Sequence, residues 1–276
     1  MLAKIFYSMI CRIKPESRKI YDCFPFFNEL EMLELRFSEL YDYVDKFVLV
    51  EATKTFQSNP KPLYFQENKD KFKAFSDKII HVVVEDLPVS DVPMQNEIYQ
   101  RNCILRGLSD CAASDIIIIS DVDEIPRAAA FNSYRNNDMY DITKMDQKIS
   151  YYFINCLADA PWRLAFIASY HNIKNKDLSK IRNTKVNSRM IIPNGGWHFS
   201  YMGGVDGIIK KIEAFSHDDL NTADYKDREW LINCISKGED LFGRKNLRYE
   251  TVPIDNSFPN HILKNVDYYK QIGWIA

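Results

Sequence analysis

Apolar residues follow two different patterns along the first half of this chain. Unbroken apolar runs over residues 46–51, 78–84 and 115–120 predict buried β-strands, because a half-exposed strand would alternate apolar with polar residues. Apolar residues at helical spacing over 28–44 and 92–108 predict two amphipathic helices. Helices that alternate with such strands are typical of an α/β fold with a mostly parallel central sheet and helices on both faces.

After residue 126 the pattern changes to one of alternating strands and a long polar stretch. Residues 139–145, 148–155 and 163–170 predict antiparallel strands, and residues 205–215 and 225–237 predict two C-terminal helices. Between them, residues 172–188 carry five basic side chains and one acidic side chain, which predicts a mobile loop. We expect a single domain over 1–276, with a nucleotide-binding half (1–126) and a smaller, antiparallel, acceptor-side half (127–276).

One stretch contains both the most apolar of the predicted strands and the carboxylates that are candidate metal ligands. Residues 115–126 read Asp-Ile-Ile-Ile-Ile-Ser-Asp-Val-Asp-Glu-Ile-Pro, and Pro126 keeps the preceding residue out of helical geometry, which predicts an extended turn after the strand. Asp121, Asp123 and Glu124 would then lie at the carboxyl edge of the sheet, where open α/β folds bind ligands. Because crowded carboxylates are costly to keep ionised without a cation, Asp121 and Asp123 are predicted ligands of a hard divalent metal. The simpler interpretation is a solvated turn that caps the next helix.

Composition excludes several classes of protein. The 276 residues are 46% hydrophobic and 27% charged, as in soluble globular enzymes, and the net charge of −2 gives no general attraction to nucleic acid. Six cysteines without CxxC or CxxH spacing favour reduced thiols over a zinc site or a disulfide scaffold. The apolar run within residues 1–11 is too short for a membrane span. We expect a cytoplasmic protein, soluble or peripherally attached to a membrane, with no nucleic-acid partner.

No glycine-rich phosphate loop occurs in the sequence. Neither GxGxxG nor GxxxxGK[ST] is present, which argues against nicotinamide-dependent dehydrogenases and P-loop nucleotidases. A nucleotide-binding half, a carboxylate pair at a strand end and a mixed antiparallel half are together typical of a GT-A glycosyltransferase.

Several motifs then resemble one family. Phe-Val-Leu-Val-Glu-Ala-Thr over residues 47–53, with Lys-Pro-Leu over 61–63, is similar to glycosyltransferase family 17. The same holds for Asp-Val-Asp-Glu-Ile-Pro over 121–126 and Gly-Gly-Trp-His-Phe-Ser over 195–200. The matching blocks run in the expected order from about residue 21 to past residue 238, which covers most of the chain.

This resemblance implies an inverting transferase. Its donor would be a nucleotide sugar, UDP-N-acetylglucosamine, and its acceptor a glycan, glycoprotein or glycolipid. A divalent cation, Mn²⁺ or Mg²⁺, would stabilise the negative charge that develops on the departing diphosphate. His198 is the candidate third metal ligand, arriving in a Gly-Gly-Trp-His turn, and its imidazole would favour Mn²⁺. The alternative is a structural histidine.

Four further residues are predicted to bind substrate. Glu51 ends its strand at the same edge as Asp121 and would contact the nucleotide or donor sugar, or else serve as a turn residue. Arg101 would reach the diphosphate or brace a carboxylate, or else be solvated. Glu124 would bind donor or acceptor, or accept backbone amides at the turn. Trp197 would stack on a sugar face, or else fill the core.

Inversion by single displacement needs a carboxylate that takes the proton of the acceptor hydroxyl. Asp206 follows the His198 turn at the start of a predicted helix and is one candidate base, with helix capping as its structural alternative. Glu213, two turns further along, is the other.

Two rival functions stay open at the level of sequence. Haloacid-dehalogenase-type phosphatases also place Asp-x-Asp after an apolar strand, but there the first aspartate is the nucleophile and the motif continues differently. A catalytically degenerate carbohydrate- or nucleotide-binding module is the non-enzymatic alternative. The basic stretch over 172–188 adds an acidic partner or an anionic acceptor as a third option.

Overall fold

The computed structural model describes residues 18–88, 90, 92–136, 142–244 and 247–276. The strands of this part are β1 (Ile20–Phe26), β2 (Lys46–Ala52), β3 (Ile79–Val84), β4 (Ile116–Ile119), β5 (Glu124–Pro126), β6 (Ile142–Tyr151), β7 (Cys156–Trp162), β8 (Phe166–Ser169), β9 (Ile191–Ser200) and β10 (Tyr249–Thr251). The α-helices are α1 (Leu30–Leu40), α2 (Tyr64–Asn68), α3 (Pro93–Asn102), α4 (Ala128–Asn136), α5 (Tyr170–Ile173), α6 (Leu178–Asn183), α7 (Gly204–Ala214), α8 (Arg228–Lys237), α9 (Asn260–Lys264) and α10 (Val266–Gln271). Short 3₁₀ helices cover Lys69–Phe75, Cys103–Leu108, Ser188–Met190, Asp218–Leu220 and Asp224–Lys226.

These strands form one sheet with a parallel part and an antiparallel part. In the parallel part, β3, β2, β1 and β4 lie side by side in that order. The sheet continues with β8, β6, β7 and β10, each antiparallel to its neighbour. Strand β9 pairs with β6 in parallel and with β5 in antiparallel orientation. The predicted α/β fold is therefore confirmed, and β6–β9 is a parallel pairing inside the half that was expected to be antiparallel.

Helices cover both faces of the parallel part, as predicted. On one face, Leu33 and Phe37 of α1 are fully buried in the core cluster that includes Phe47 of β2. On the other face, Ile104 and Leu108 of the 3₁₀ helix after α3 are fully buried in a second cluster with β2 and β4. The unbroken apolar runs of the sequence follow from this burial on two sides. The predicted helix over 92–108 is therefore an α-helix that continues as a 3₁₀ helix.

One prediction in the second half was wrong because a polar residue is buried. Residues 139–145 and 148–155 were expected to be separate strands, whereas β6 runs without a break from Ile142 to Tyr151, and residues 139–141 lie outside the described part. Gln147, which lies between the two predicted strands, is 1% exposed and donates from Nε2 to the carbonyls of Ile125 and Trp197, both at 3.3 Å.

The stretch over 172–188 is not a mobile loop. It contains part of α5, all of α6 and the first residue of a 3₁₀ helix. Asp177 caps α6 by accepting the backbone N–H of Lys180 at 3.1 Å, and Leu178 and Ile181 pack into the second core cluster. Lys174, Lys176, Lys180 and Lys185 are exposed to solvent, and Lys180 is the one among them that lies in α6. Arg182 of α6 is buried.

Four strands of this sheet, β1, β7, β9 and β10, had no counterpart among the predicted elements. Strand β1 carries Asp22 in an otherwise apolar run, which masks its signal, and strand β9 contains the Gly-Gly-Trp-His motif that was expected to be a turn. His198 is therefore held in a strand, directly opposite Glu124 of β5. The predicted extended turn at Glu124–Pro126 is the short strand β5 itself.

The remaining sequence predictions concern thiols and membranes. Among the described residues, the free thiols are Cys23, Cys103, Cys111, Cys156 and Cys234. None of the helices just described is long and apolar enough to cross a bilayer. Residues 1–11 lie outside the described ranges.

Candidate functional site

A cavity of about 380 Å³ opens at the carboxyl ends of β1, β2 and β4. Because these strands are parallel, the segments that follow them meet at one edge of the sheet, where α/β folds bind ligands. The antiparallel half closes the cavity from the other side with α6, β9 and α7. Its charged and aromatic border includes Glu29, Lys54, Lys61, Glu97, Arg101, Asp121, Asp123, Trp162, Arg182, His198 and Lys211.

Both carboxylate oxygens of Asp121 are bonded to arginines. Arg101 of α3 donates to Oδ1 at 2.5 Å, and Arg182 of α6 donates to Oδ2 at 2.6 Å. Burial by itself would raise the pKa of Asp121, but the two guanidinium groups outweigh it and lower the pKa below its ordinary value. Asp121 is therefore ionised and fixed in orientation between two cations.

Asp123 faces a different pair of groups. Lys211 of α7 donates to its Oδ2 at 2.7 Å, and His198 Nε2 lies 3.7 Å from the same oxygen. Burial would raise the pKa of Asp123, but Lys211 and His198 hold it far below its ordinary value. Burial would likewise lower the pKa of Lys211, and the contact with Asp123 raises it instead. The two side chains therefore form an ion pair on the cavity wall.

Glu124 lies beneath the cavity, and its side chain is fully buried. Arg182 donates from Nη1 to Oε2 and from Nη2 to Oε1, each at 2.7 Å. The indole N–H of Trp162 also donates to Oε1, and Oε2 accepts the backbone N–H of Asp121 at 2.9 Å. Arg182 thus bridges two carboxylates of the same turn and joins that turn to α6.

A second buried arginine supports this turn from below. Arg36 of α1 is fully buried and donates to the carbonyls of Asp121 at 2.7 Å, Val122 at 3.2 Å and Glu124 at 3.1 Å. It also binds both carboxylate oxygens of Asp22 on β1, at 2.6 and 2.7 Å. Arg36 therefore ties the turn that carries the site to α1 and to β1.

His198 is packed against an aromatic ring. The centroids of His198 and Trp162 lie 4.3 Å apart, with 30° between the ring planes. Nε2 faces Asp123, while Nδ1 is buried and has no hydrogen-bond partner among the described residues. An imidazole with an unpartnered buried nitrogen beside a carboxylate is suited to a further ligand.

The family of the chain is decided by a match over most of its length. The sequence model of glycosyltransferase family 17 matches residues 8–266. The chain belongs to this family. That range contains every strand and cavity-lining residue described above.

The curated relatives of this family 17 chain are longer than the chain itself. It is 22% identical over 92% of its own length to the beta-1,4-mannosyl-glycoprotein 4-beta-N-acetylglucosaminyltransferase of Rattus norvegicus, of which the match covers 54%. For the Mus musculus protein of the same name, identity is 20% over the same shares of the two chains. The chain spans about half the length of these relatives.

Solved structures are similar only at a low level. HddC from Yersinia pseudotuberculosis, in a complex with GMP-PN, gives a TM-score of 0.40 at 10% identity, over 67% of this chain and 90% of HddC. The galactosyltransferase LgtC, in complex with donor and acceptor sugar analogs, gives 0.35 at 14% identity, over 59% and 61%.

The predicted substrate-binding residues occupy different positions around the cavity. Arg101 borders it and also binds Glu97 at 2.7 Å. Glu51 is fully buried and lies 3.7 Å from Lys61, which does border the cavity. Glu124 lies below the wall. Trp197 is 2% exposed and donates from its indole N–H to the carbonyl of Ser257, so it belongs to the core that supports β9.

The structure does not bring the two predicted bases to the cavity. Asp206 has a side chain 75% exposed and pairs with Arg228 at 2.7 Å, and Glu213 has one 55% exposed, with Lys226 at 3.6 Å. Both lie on the outer part of α7, whereas Lys211 of the same helix points to Asp123. The helix itself was predicted, but the helical pattern did not show which of its faces turns toward the cavity.

The cavity residues of this family 17 chain that escaped prediction from sequence include Glu29, Arg182 and Lys211. For Arg182 a signal was present, since Asp177 followed by Leu178 and Ile181 is the pattern of a capped helix with one apolar face. For Glu29 and Lys211 no local signal exists, because an acid at the start of a helix and a lysine near its end are ordinary at those positions.

Proposed function

We propose that this family 17 chain transfers N-acetylglucosamine from UDP-N-acetylglucosamine to a glycan acceptor, with inversion at the anomeric carbon. Family membership and the name of the rat and mouse relatives support the transferred sugar and the glycan acceptor. Since the chain spans about half of those relatives, the acceptor of this chain need not be theirs. The proposed donor and the proposed inversion are what the similarity of the sequence motifs to glycosyltransferase family 17 implies.

The observation that carries the proposal is the meeting of arginines and aspartates at one edge of the sheet. Arg101 and Arg182 converge on Asp121 within 2.6 Å, and Lys211 lies on Asp123 at 2.7 Å. Guanidinium groups held in a fixed orientation suit the oxygens of a phosphate. A departing diphosphate would therefore find donors already in place, without the cost of ordering them during the reaction.

A divalent cation fits the same wall. Among the described residues no group of three or more histidine, cysteine, aspartate or glutamate side chains is arranged as a metal site. Asp123 and His198 nevertheless offer one carboxylate and one imidazole 3.7 Å apart, and such ions are commonly held by one or two protein ligands together with substrate phosphates. Because both oxygens of Asp121 are bonded to arginines, we assign Asp121 to positioning them, and Asp123 and His198 to the ion. Bound there with the donor, the ion would act as a Lewis acid on the diphosphate.

The charge balance of the cavity favours such an ion. Five basic and four acidic side chains border it among the described residues, which leaves a net charge of about +1. A diphosphate carries more negative charge than this, so a divalent cation bound with it restores the balance.

The experiment measures UDP binding by calorimetry, with Mn²⁺ and with EDTA, and the release of UDP from UDP-N-acetylglucosamine in water. We expect Mn²⁺ to strengthen UDP binding, and Asp123→Asn and His198→Ala each to weaken the Mn²⁺-dependent binding roughly tenfold or more. Asp70→Asn, an exposed carboxylate outside the cavity, is the control. Equal UDP affinity in Mn²⁺ and EDTA would remove the metal from the proposal, and absence of both UDP binding and UDP release would remove the donor.

The phosphatase alternative finds little support in this site. It requires the first aspartate of the motif as a nucleophile. Both oxygens of Asp121 already accept hydrogen bonds from Arg101 and Arg182, which lowers the nucleophilicity of the carboxylate. Lack of phosphate release from an aryl phosphate would agree with this argument.

A further inference from the structure

The carboxylates that border the cavity differ in whether they are ion-paired. Asp121 is paired with two arginines, Asp123 with Lys211, and Glu97 with Arg101 at 2.7 Å. Glu29 forms no ion pair with any residue of the described ranges. A carboxylate that is ion-paired is a weak proton acceptor, so Glu29 is the acid of this wall best suited to take up a proton.

The backbone of Glu29 and its neighbours fixes this side chain in place. Glu29 immediately precedes α1, but its carboxylate does not cap that helix. It turns back, and Oε2 accepts the backbone N–H groups of Phe27 at 3.3 Å and Asn28 at 3.0 Å. The backbone N–H of Glu29 itself also contributes a hydrogen bond to the carboxylate, and no other residue of the described ranges donates to Oε1. One oxygen is thus anchored while the other is free to accept a proton from a molecule in the cavity.

The net effect of the surroundings of Glu29 is to raise the pKa of its carboxyl group. Burial raises the pKa of its carboxyl group above the ordinary value, and the negative charge of Asp123 adds to this. Lys211 of α7 and the backbone N–H groups of Asn28 and Glu29 oppose the shift. Lys61, after β2, also lies within electrostatic reach of Glu29. A general base works best when its pKa lies near the working pH, and a raised carboxylate pKa moves it that way.

We propose that Glu29 is the general base that deprotonates the acceptor hydroxyl. The inference rests on the proposed function. In the step, the acceptor oxygen forms a bond to the anomeric carbon as the bond from that carbon to the β-phosphate oxygen breaks. The acceptor proton moves to Oε1 of Glu29, and the electron pair of the broken bond leaves with UDP. Glu29 later returns the proton to solvent.

The test uses the full chain with UDP-N-acetylglucosamine and Mn²⁺, and water as the acceptor. Glu29→Gln removes the base and keeps the size of the side chain, so we expect UDP release to fall on the order of 10²- to 10⁴-fold. UDP affinity, measured by calorimetry, should stay within about twofold of wild type. Glu31→Gln makes the same change on the exposed side of the same helix and should leave UDP release unchanged.

A second variant separates chemistry from folding. Glu29→Asp keeps a carboxylate but withdraws it by one methylene group, and it should release UDP faster than Glu29→Gln at equal thermal stability. Wild-type rates in Glu29→Gln would overturn the proposal. A loss of UDP affinity that matches the loss of rate would also overturn it, because Glu29 would then be a donor-binding residue. If wild type itself neither binds UDP nor releases it from its sugar, the proposed function fails before the role of Glu29 is reached.

Discussion

Arg182 and Asp121 are 61 residues apart in the sequence, and Arg182 Nη2 donates to Asp121 Oδ2 at 2.6 Å. The same guanidinium binds both oxygens of Glu124. One side chain of α6 therefore sets the orientation of two acids in the turn after β4. The two halves of the chain meet at this contact, so the cavity depends on the docking of α6.

Replacement of Arg182 should be strongly destabilising. Arg182→Met leaves Glu124 as a fully buried carboxylate without its cation, and breaking such a pair from one side costs about 3–5 kcal/mol. Urea unfolding measures the free energy. Lys180→Met, an exposed change on the same helix, should stay within about 0.5 kcal/mol of wild type. A loss below about 1 kcal/mol for Arg182→Met would mean that the pair contributes little.

A methyl group at Gly196 should disturb the strand that carries His198. Gly196 has φ +155°, and a Cβ atom there would lie 2.3 Å from the carbonyl oxygen of Ile125 and 2.9 Å from Pro126 Cα. Strain in the backbone and overpacking together should cost Gly196→Ala about 2–5 kcal/mol.

The control for this change is Gly243→Ala. Gly243 has φ +69°, but no heavy atom lies within 4 Å of the added methyl group, so only the backbone cost of about 1 kcal/mol applies. Differential scanning calorimetry compares the two variants. Equal losses of stability would show that the contact between β5 and β9 is not tight.

The ion pair of Asp123 predicts a dependence of stability on pH. The folded-state pKa of Asp123 is depressed, so the stabilisation from its ionised form is complete above about pH 3.9 and is lost as the pH falls below that value. The difference in unfolding free energy between wild type and Asp123→Asn should therefore shrink between pH 4 and pH 2, by about 1.4 kcal/mol per pH unit. Urea titrations at several pH values measure it. Parallel curves for the two proteins would contradict the pairing.

Lys211 should compete with a metal ion for Asp123. Its ammonium lies 2.7 Å from Oδ2, on the side where His198 also points. Lys211→Gln removes a charged hydrogen bond worth about 1.5–3 kcal/mol, so Mn²⁺ should bind about tenfold more tightly in the absence of UDP. Calorimetric titration with Mn²⁺ alone measures this. Lys210→Gln, exposed on the same helix, is the control, and equal Mn²⁺ affinity in wild type and Lys211→Gln would place the ion elsewhere.

The parallel half could be predicted because its signals are local. Strands such as β4 are buried on both faces and contain four isoleucines in a row, which no other element of that length would favour. The position of Asp121 and Asp123 at the strand end follows from chain order alone. The same rule placed the site at the carboxyl edge of the sheet, where the cavity lies.

The partners of those aspartates could not be predicted, because they come from distant segments whose composition is that of a surface. Arg182 lies in a stretch that is mostly basic and polar, and its burial is compensated by ion pairs with Asp121 and Glu124. Gln147 similarly lies between two segments that were predicted as separate strands, and its hydrogen bonds to the Ile125 and Trp197 carbonyls exist only after β5 and β9 are in place. Polar residues of this kind are stable inside a protein only when the tertiary structure supplies their partners.

The geometry of the site depends on Arg36, although this side chain is fully buried beneath the turn and does not border the cavity. One guanidinium satisfies three carbonyl groups of the turn that carries Asp121 and Asp123, and it is anchored to α1 and to Asp22. Any substitution that moves α1 by a fraction of an ångström will tilt this turn with it. A change of UDP affinity in a variant of the first helix would therefore be a geometric effect transmitted through Arg36, and screens for altered transferases should treat that helix as part of the proposed donor site.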